Sequence, residues 1–520
     1  MLNKSNAWID ILLEGIDYYH RYHRFWLSLC VNAAFIIWLF LLVTTLLYEY
    51  TGIVTKKQIH RNSQMITFLK SRLFRLIVMS CGVSLAIIFY LKSKDPSFVL
   101  YTVLPMLMAF IAISRIDMIN DVWFSVTQKV ASVGNLIQFG GITMMIFICL
   151  EFLIHAFFDR RSLTVAAILI AFVPWLKLVF SKTSSSNILK NLISVLFTFT
   201  SLALGYFPQM PVIHKEENYM LVVLGAFLFA TFGMIYTLFV KDHNSLVIAS
   251  QTALVIGSTV VKLHSVGSIE QGNGLPWFNQ LLSWSVVLVG PILVALTEKD
   301  SISRLISTIL ALASVYILTS ISYETMFLLV LVLHMLTWVA MEIHLFSPTQ
   351  STTSYRINTR RGDIKATQHL SLDHLRIAFM FVYYIFISFF GTGNVASINS
   401  FDIASTYCFQ TVFNPWIQGM VLAIKVLVPF LMVTLVFRSM DSTTVLPMKS
   451  IFLIILLLTD IMSMHFFFWV KDEGSWLDIG QSLSHFLINL VFVIFLIPVY
   501  KLSSYVTGSV SLKVLKSHTM

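Results

Sequence analysis

The positions most able to do chemistry in this sequence are ionisable residues set inside long apolar runs. Lys425 lies within 416–438, Asp460 and His465 within 447–470, and His334 within 324–345. A charge in hydrocarbon is tolerated only beside a partner, a polar cavity or a working site, so these residues are marked as intramembrane polar sites. His155 and Lys262 lie nearer the ends of their runs, where a side chain can reach toward the interface. Other spacings are suggestive but not specific. His20 and His23 at i,i+3 suit a shared metal, Asp117 and Asp121 with Asn120 between them suit a divalent cation or a proton relay, and His214, Glu216 and Glu217 offer ligand-type groups at irregular spacing. In each case a plainer reading weighs more: an interfacial anchor for the aromatic and basic cluster Tyr18 to Trp26, a capped connecting helix for the two acids, and a polar loop for the third group. No GxSxG, HExxH, phosphate-binding glycine loop or kinase signature occurs. The residues by themselves therefore assign no catalytic side chain and no metal site.

The elements that must position these groups follow from composition. Of 520 residues, 57% are hydrophobic and 12% charged, with a mean hydropathy of +0.82, whereas ordinary globular domains are about 25% charged. That excludes a soluble multi-domain enzyme and a nucleic-acid binder. The formal charge of +10 is what cytoplasmic loops rich in Lys and Arg produce in a polytopic protein. Four cysteines, Cys30, Cys81, Cys149 and Cys408, form no CxxC and imply neither a disulfide framework nor a cysteine-ligated zinc.

Apolar stretches of membrane-crossing length number about fifteen, from 25–48 to 481–502. The expected fold is an all-α, polytopic transmembrane helix bundle. Its parts are a luminal lead-in and interfacial segment at 1–24, a multi-span membrane domain at 25–502 and a cytosolic tail at 503–520. The runs at 97–113, which carries Pro105, and at 302–320, which is rich in serine, fit least well. Sorting the loops into two alternating sets places about 21 Lys/Arg on one side and about 9 on the other, which assigns the first side to the cytosol. That side includes the linker 346–372 with its basic cluster Arg356 to Lys365, suited to anionic lipid headgroups. The opposite, luminal side carries 207–218, 266–278, 393–415 and 471–480, rich in Gly, Asn, Ser, Pro and Trp. On it, Asn394, Asn399, Asp402, Trp476 and Asp478 are the expected headgroup-binding residues, since Asn and Asp can meet an ammonium or a sugar hydroxyl and Trp suits the interface. Helix capping and interfacial anchoring are the competing explanation for the same residues. Lys425 and Asp460 fall at matching depths of about 13 and 15 Å on consecutive helices, which predicts that they pair.

The segment Phe389-Phe390-Gly391-Thr392-Gly393-Asn394-Val395-Ala396-Ser397-Ile398-Asn399-Ser400-Phe401, with Lys425 to Phe430 and Asp460 through Gly480, resembles the membrane region of the PIG-N family of GPI ethanolamine phosphate transferases. The opening stretch Glu14 to His20 is similar to the point where that family's soluble domain hands over to its membrane domain. The resemblance implies an endoplasmic-reticulum multi-pass membrane protein that acts on phosphatidylethanolamine and GPI precursor lipids, transferring phosphoethanolamine to the first mannose. It also implies that the catalysis belongs to a separate or upstream luminal domain with a divalent, zinc-type metal and a threonine nucleophile. None of its motifs matches a position here, so no cofactor is expected in these 520 residues and no nucleic acid among the partners. The chain is expected to handle lipid substrate. A non-catalytic membrane scaffold and a lipid transporter are the rival readings.

The charge asymmetry predicts an amino terminus in the lumen and a carboxyl terminus in the cytosol. In intact microsomes, protease should remove a carboxyl-terminal tag and spare an amino-terminal one. Cleavage of both, or of neither, would show that the number of crossings is even.

Overall fold

The structure is a computed structural model. It describes residues 8–16, 24–49, parts of 80–91, 96–130, 133–180, 188–211, 218–239, 243–297, 301–346, 372–392, 406–444, 448–471 and 474–507. Among them every regular element is helical and there is no strand. A bilayer explains this, because a backbone in hydrocarbon must satisfy its own hydrogen bonds, and a helix does so within one segment. Twelve helices are long and apolar enough to cross a membrane. Two bent pairs, Val99–Ser114 with Ile116–Gln128 at 69° and Trp476–Val491 with Leu496–Ser503 at 41°, raise the number to as many as 14. The expected run at 73–91 lies largely outside the described residues.

The helices fall into two compact units. The first contains α1 (Arg24–Glu49), α2 (Pro96–Ser114), α3 (Ile116–Val130), the beginning of α4 (Val133–Phe158) and, from much later in the chain, α15 (Met448–Trp469). Here α1 packs on α2 and α3, and its Trp38 donates to Asp460 of α15 at 2.8 Å. The bend after α2 falls at Arg115 rather than at Pro105, which α2 absorbs. Asp117 and Asp121 therefore lie on α3, a second arm, and form no metal-ligating group of three among the described residues.

The second unit holds the rest of α4, then α5 (Ser162–Ala171), α6 (Val173–Phe180), α7 (Ile188–Tyr206), α8 (Tyr219–Phe239), α9 (His243–Glu270), α10 (Trp277–Leu296), α11 (Ser301–Thr319), α12 (Glu324–Met341), α13 (Leu372–Phe390), α14 (Pro415–Thr444) and α16 (Trp476–Thr507). Its centre is α11, which packs against α8, α9, α10, α12 and α14. This is the serine-rich run that fits a membrane span least well by composition, yet 83% of it is buried, against 22% for the peripheral span Ser162–Val179. The serines are the reason. Small hydroxylated residues let neighbouring helices approach closely, and the hydroxyls return to their own helix, as Ser314 does to Ala311 O at 2.8 Å and Thr308 to Arg304 O at 2.7 Å. The chain turns from α11 to α12 through Ser322 at φ 51°.

Close approach also fixes Gly225 of α8, where a Cβ would lie 2.9 Å from Thr325 Cγ2 and 3.0 Å from Met326 N of α12. Overpacking of this kind costs about 1–3 kcal/mol. Gly225→Ala should lower the thermal midpoint of the purified protein in detergent, whereas Gly257→Ala, whose added Cβ meets open space, should leave it unchanged or raise it.

Candidate functional site

One end of the helices of the second unit carries a cluster of buried polar groups. That end comprises the α4–α5 turn, the carboxyl end of α7 with the 3-10 turn Phe207–Gln209, the α9–α10 loop, the α11–α12 turn, the end of α13 and the start of α14. It is the end that the charge count assigns to the lumen. Glu324 begins α12 and is 1% exposed; its Oε2 lies 2.9 Å from Nζ of Lys425, 5% exposed on α14. The same carboxylate oxygen accepts the Ile321 N–H at 2.7 Å. Both charges are thus removed from lipid, and a buried ion pair holds only when further hydrogen bonds complete the set, as the Ile321 amide does here.

Beside this pair, the Tyr323 hydroxyl faces the carbonyls of Pro211 at 3.1 Å and Thr392 at 3.3 Å, so one phenol links the loops after α7 and α13. Arg160, in the turn before α5, lies beside the Tyr323 side chain and donates through Nη2 to the Met210 carbonyl. Burial pushes the Tyr323 phenol up and Arg160 opposes the rise, so the group remains a neutral donor at physiological pH. Lys262, 2% exposed on α9, directs Nζ to Leu318 O at 3.3 Å, capping the last turn of α11 with a cation.

The described tail of the loop 393–415 folds into this end. Cys408 and Phe409 are buried against Val261, Val286, Leu318 and Val421. Gln280 and Trp284 of α10 donate to Phe409 O at 3.0 and 3.2 Å. Burial pushes the Cys408 thiol up, with Lys262 opposing, which suits a packing residue rather than a nucleophile.

Asn394, Asn399 and Asp402 lie outside the described residues. Trp476 is 90% exposed at the first turn of α16, where an interfacial tryptophan belongs. Ser475 caps the start of α16: its hydroxyl accepts the Asp478 N–H at 3.2 Å and donates to Asp478 Oδ2 at 2.8 Å. Asp478 thus takes part in the cap of α16. His465 is half-buried and stacked on Trp469 with ring centroids 5.5 Å apart. His334 is fully buried, its Nδ1 3.0 Å from the Thr200 hydroxyl and its ring against Phe197. Of the expected pair, Lys425 and Asp460 belong to different compact units, and each has a partner within its own: Glu324 for Lys425 and the Trp38 indole for Asp460.

Sequence reasoning passed over Glu324, Arg160 and Tyr323. The available signal was an acid opening an otherwise uncharged apolar run, Glu324 to Met341, which reads as a helix-end residue until a buried cation is sought for it. At the far end of α12, Glu342 is held in the same manner by a bidentate contact with Arg376 of α13, one arm of it at 2.8 Å, and by the Trp338 indole at 2.9 Å.

Removing one member of the Glu324–Lys425 pair strands a buried charge, which typically costs about 3–5 kcal/mol. Lys425→Met and Glu324→Leu should each lower the midpoint of denaturant or thermal unfolding more than the double substitution does. Strictly additive losses in that cycle would mean the two side chains do not interact.

A model of the family described as phosphatidylinositolglycan class N (PIG-N) matches residues 14–475. The GPI ethanolamine phosphate transferase 1 of Homo sapiens is 32% identical over 513 residues, covering 96% of this chain and 53% of its own length; that of Mus musculus is 32% identical over 515 residues, with the same shares. The protein of the same name from Schizosaccharomyces pombe is 27% identical over 433 residues, 79% of this chain and 44% of its own length. The chain thus spans about half the length of these relatives. No solved structure matches. A family match running from Glu14 to Ser475 takes in the Arg160 turn, the Tyr323–Glu324 corner and Lys425, and on that match the chain belongs to the PIG-N family.

Proposed function

We propose that this chain is the membrane part of an endoplasmic-reticulum GPI ethanolamine phosphate transferase, the activity that moves phosphoethanolamine from phosphatidylethanolamine to the first mannose of a GPI precursor. The family match over 14–475 carries the reading. The relatives are named for the transfer, and this chain matches about half of each. Within that scheme the chain's task is to hold lipid substrates. Both are amphiphiles whose tails stay in the bilayer, and a catalyst in the lumen can act only on headgroups brought to the membrane surface in a defined orientation.

The arrangement of the second unit supports such a task. Loops from several helices are tied together at one end by Tyr323, Arg160, Gln280 and Trp284, which makes that end stiff. Exposed aromatics at helix starts, Trp277, Trp416 and Trp476, suit anchorage in the headgroup layer. The divalent metal implied for the transfer finds no fitting set of three or more His, Cys, Asp or Glu ligands among the described residues. In this reading the chain's own residues are given no chemical step, and the transfer belongs to a luminal domain.

In cells deleted for their own GPI ethanolamine phosphate transferase 1, co-expression of this chain with the half of the human relative that it does not match should restore phosphoethanolamine on the first mannose. Neither part alone should do so. A complex that forms and reaches the endoplasmic reticulum without restoring transfer would overturn the reading in favour of a scaffold.

A further inference from the structure

His264, on α9 shortly before that helix ends at Glu270, is an exposed histidine whose tautomer is fixed by its neighbours. The chain of bonds that fixes it begins in the core. Ser265, fully buried, donates its hydroxyl proton to Val261 O at 2.7 Å, so its Oγ must accept from the amide that faces it. That amide belongs to Asn279 of α10, 5% exposed, whose Nδ2 lies 3.0 Å from Ser265 Oγ and 2.7 Å from His264 Nδ1. Its two protons serve these two acceptors. With Nδ1 accepting, the imidazole carries its proton on Nε2. The two ring nitrogens point away from each other, so a ring tethered inward through Nδ1 directs its N–H outward. Nε2 has no hydrogen-bond partner among the described residues.

This donor is open to the bilayer rather than enclosed. Ile256, Val260 and Leu263 near it on α9 are exposed, as are Phe278 and Leu281 beside Asn279 on α10. Its level is set by Asn279, which lies two residues past the exposed Trp277 that opens α10, or about 3 Å along the helix. A tryptophan at the start of a span marks the interface. His264 therefore sits where a bilayer passes from headgroup to acyl chain, an N–H set among side chains that suit lipid tails. At that level an ionised phosphodiester oxygen is the strong acceptor, and a donor already held in place loses little freedom on engaging it. We propose that His264 donates its Nε2–H to the phosphodiester of a membrane phospholipid headgroup, with Asn279 and Ser265 as positioning residues. The inference deepens the lipid-handling reading above and rests on it for the choice of a lipid over a free anion.

The test uses the full chain purified in phosphate-free maltoside detergent and titrated calorimetrically with three probes: dihexanoyl phosphatidylethanolamine, dihexanoylglycerol, which keeps the ester carbonyls and lacks the phosphate, and inorganic phosphate. The phospholipid should bind about tenfold more tightly than the diacylglycerol, a difference expected of a hydrogen bond to a charged group. His264→Phe, which keeps a ring and removes the donor, should abolish that preference. His264→Gln, whose amide can offer a donor at a similar reach, should retain part of it, and Asn279→Leu should reduce it severalfold by freeing the ring. Equal binding of the phospholipid and the diacylglycerol, or an unchanged preference in His264→Phe, would overturn the proposal. An unchanged preference in a folded Asn279→Leu protein would overturn the positioning role, and inorganic phosphate competing at the lipid's own concentrations would overturn the lipid assignment. His264 is exposed, so its variants should unfold at the parent's midpoint and decide the matter even where Asn279→Leu fails to fold. A His264-dependent preference with no restored transfer in cells would leave this site standing and remove the transferase reading; restored transfer without the preference would do the reverse.

Discussion

Helix α12 is held at both ends by acids that hydrocarbon would not tolerate alone, and the second unit is arranged around that requirement. Glu324 binds Lys425 of α14, and eighteen residues later Glu342 binds Arg376 of α13. At 1.5 Å per residue the two clasps lie about 27 Å apart, close to the thickness of a bilayer core. Each ties α12 to a different neighbour, so the helix can neither slide along the membrane normal nor turn about its axis without exposing a charge. Ion pairs of this kind add little net stability over apolar packing, but they reject alternatives strongly, because any register other than the native one leaves a charge unmatched. The apolar faces between the clasps are interchangeable by comparison, and the hydrophobic effect does not distinguish one lipid-like face from another inside a membrane.

Between the clasps the work is done by hydroxyls and small side chains. Thr200 meets His334, Ser201 reaches across to Ala167 O at 2.8 Å, and Thr164 reaches Gly205 O at 2.7 Å. The last two tie α5 to α7 through backbone carbonyls. Such contacts need helices close together, which explains why glycine, serine and threonine are concentrated where large apolar residues would be expected. A hydropathy profile reads this composition as a weak span, and that is how α11, the most buried helix of the unit, came to fit the expected pattern poorly.

The helices and their approximate limits were legible because a bilayer converts hydrophobicity directly into length. Lys425, Asp460, His334 and Lys262 were legible as unusual for the same reason. Their partners were not. Pairing depends on the angular position of a side chain and on contacts between helices distant in sequence, such as Lys425 with Glu324 or Trp38 with Asp460, which are 422 residues apart. Asp478 shows a role that was legible locally: the pattern Ser475-Trp476-Leu477-Asp478 spells a helix start, and its carboxylate accepts the Ser475 hydroxyl there. The loop residues Asn394, Asn399 and Asp402, singled out by residue type alone, lie outside the described residues.

The two ends of the second unit treat their cations differently, and the difference bears on function. At the Glu342 end, Arg376 is neutralised by a carboxylate and stacked over the Phe346 ring, 3.8 Å from its centroid. At the other end, Glu324 neutralises Lys425, whereas Arg160 and Lys262 are met by the carbonyls of Met210 and Leu318. A carbonyl dipole fixes the geometry of a cation without cancelling its charge. That end therefore holds these two cations in fixed positions, and Asp159, the acid adjacent to Arg160 in sequence, is turned to the Arg161 amide instead. Low dielectric on the membrane side strengthens the field of any charge left uncancelled.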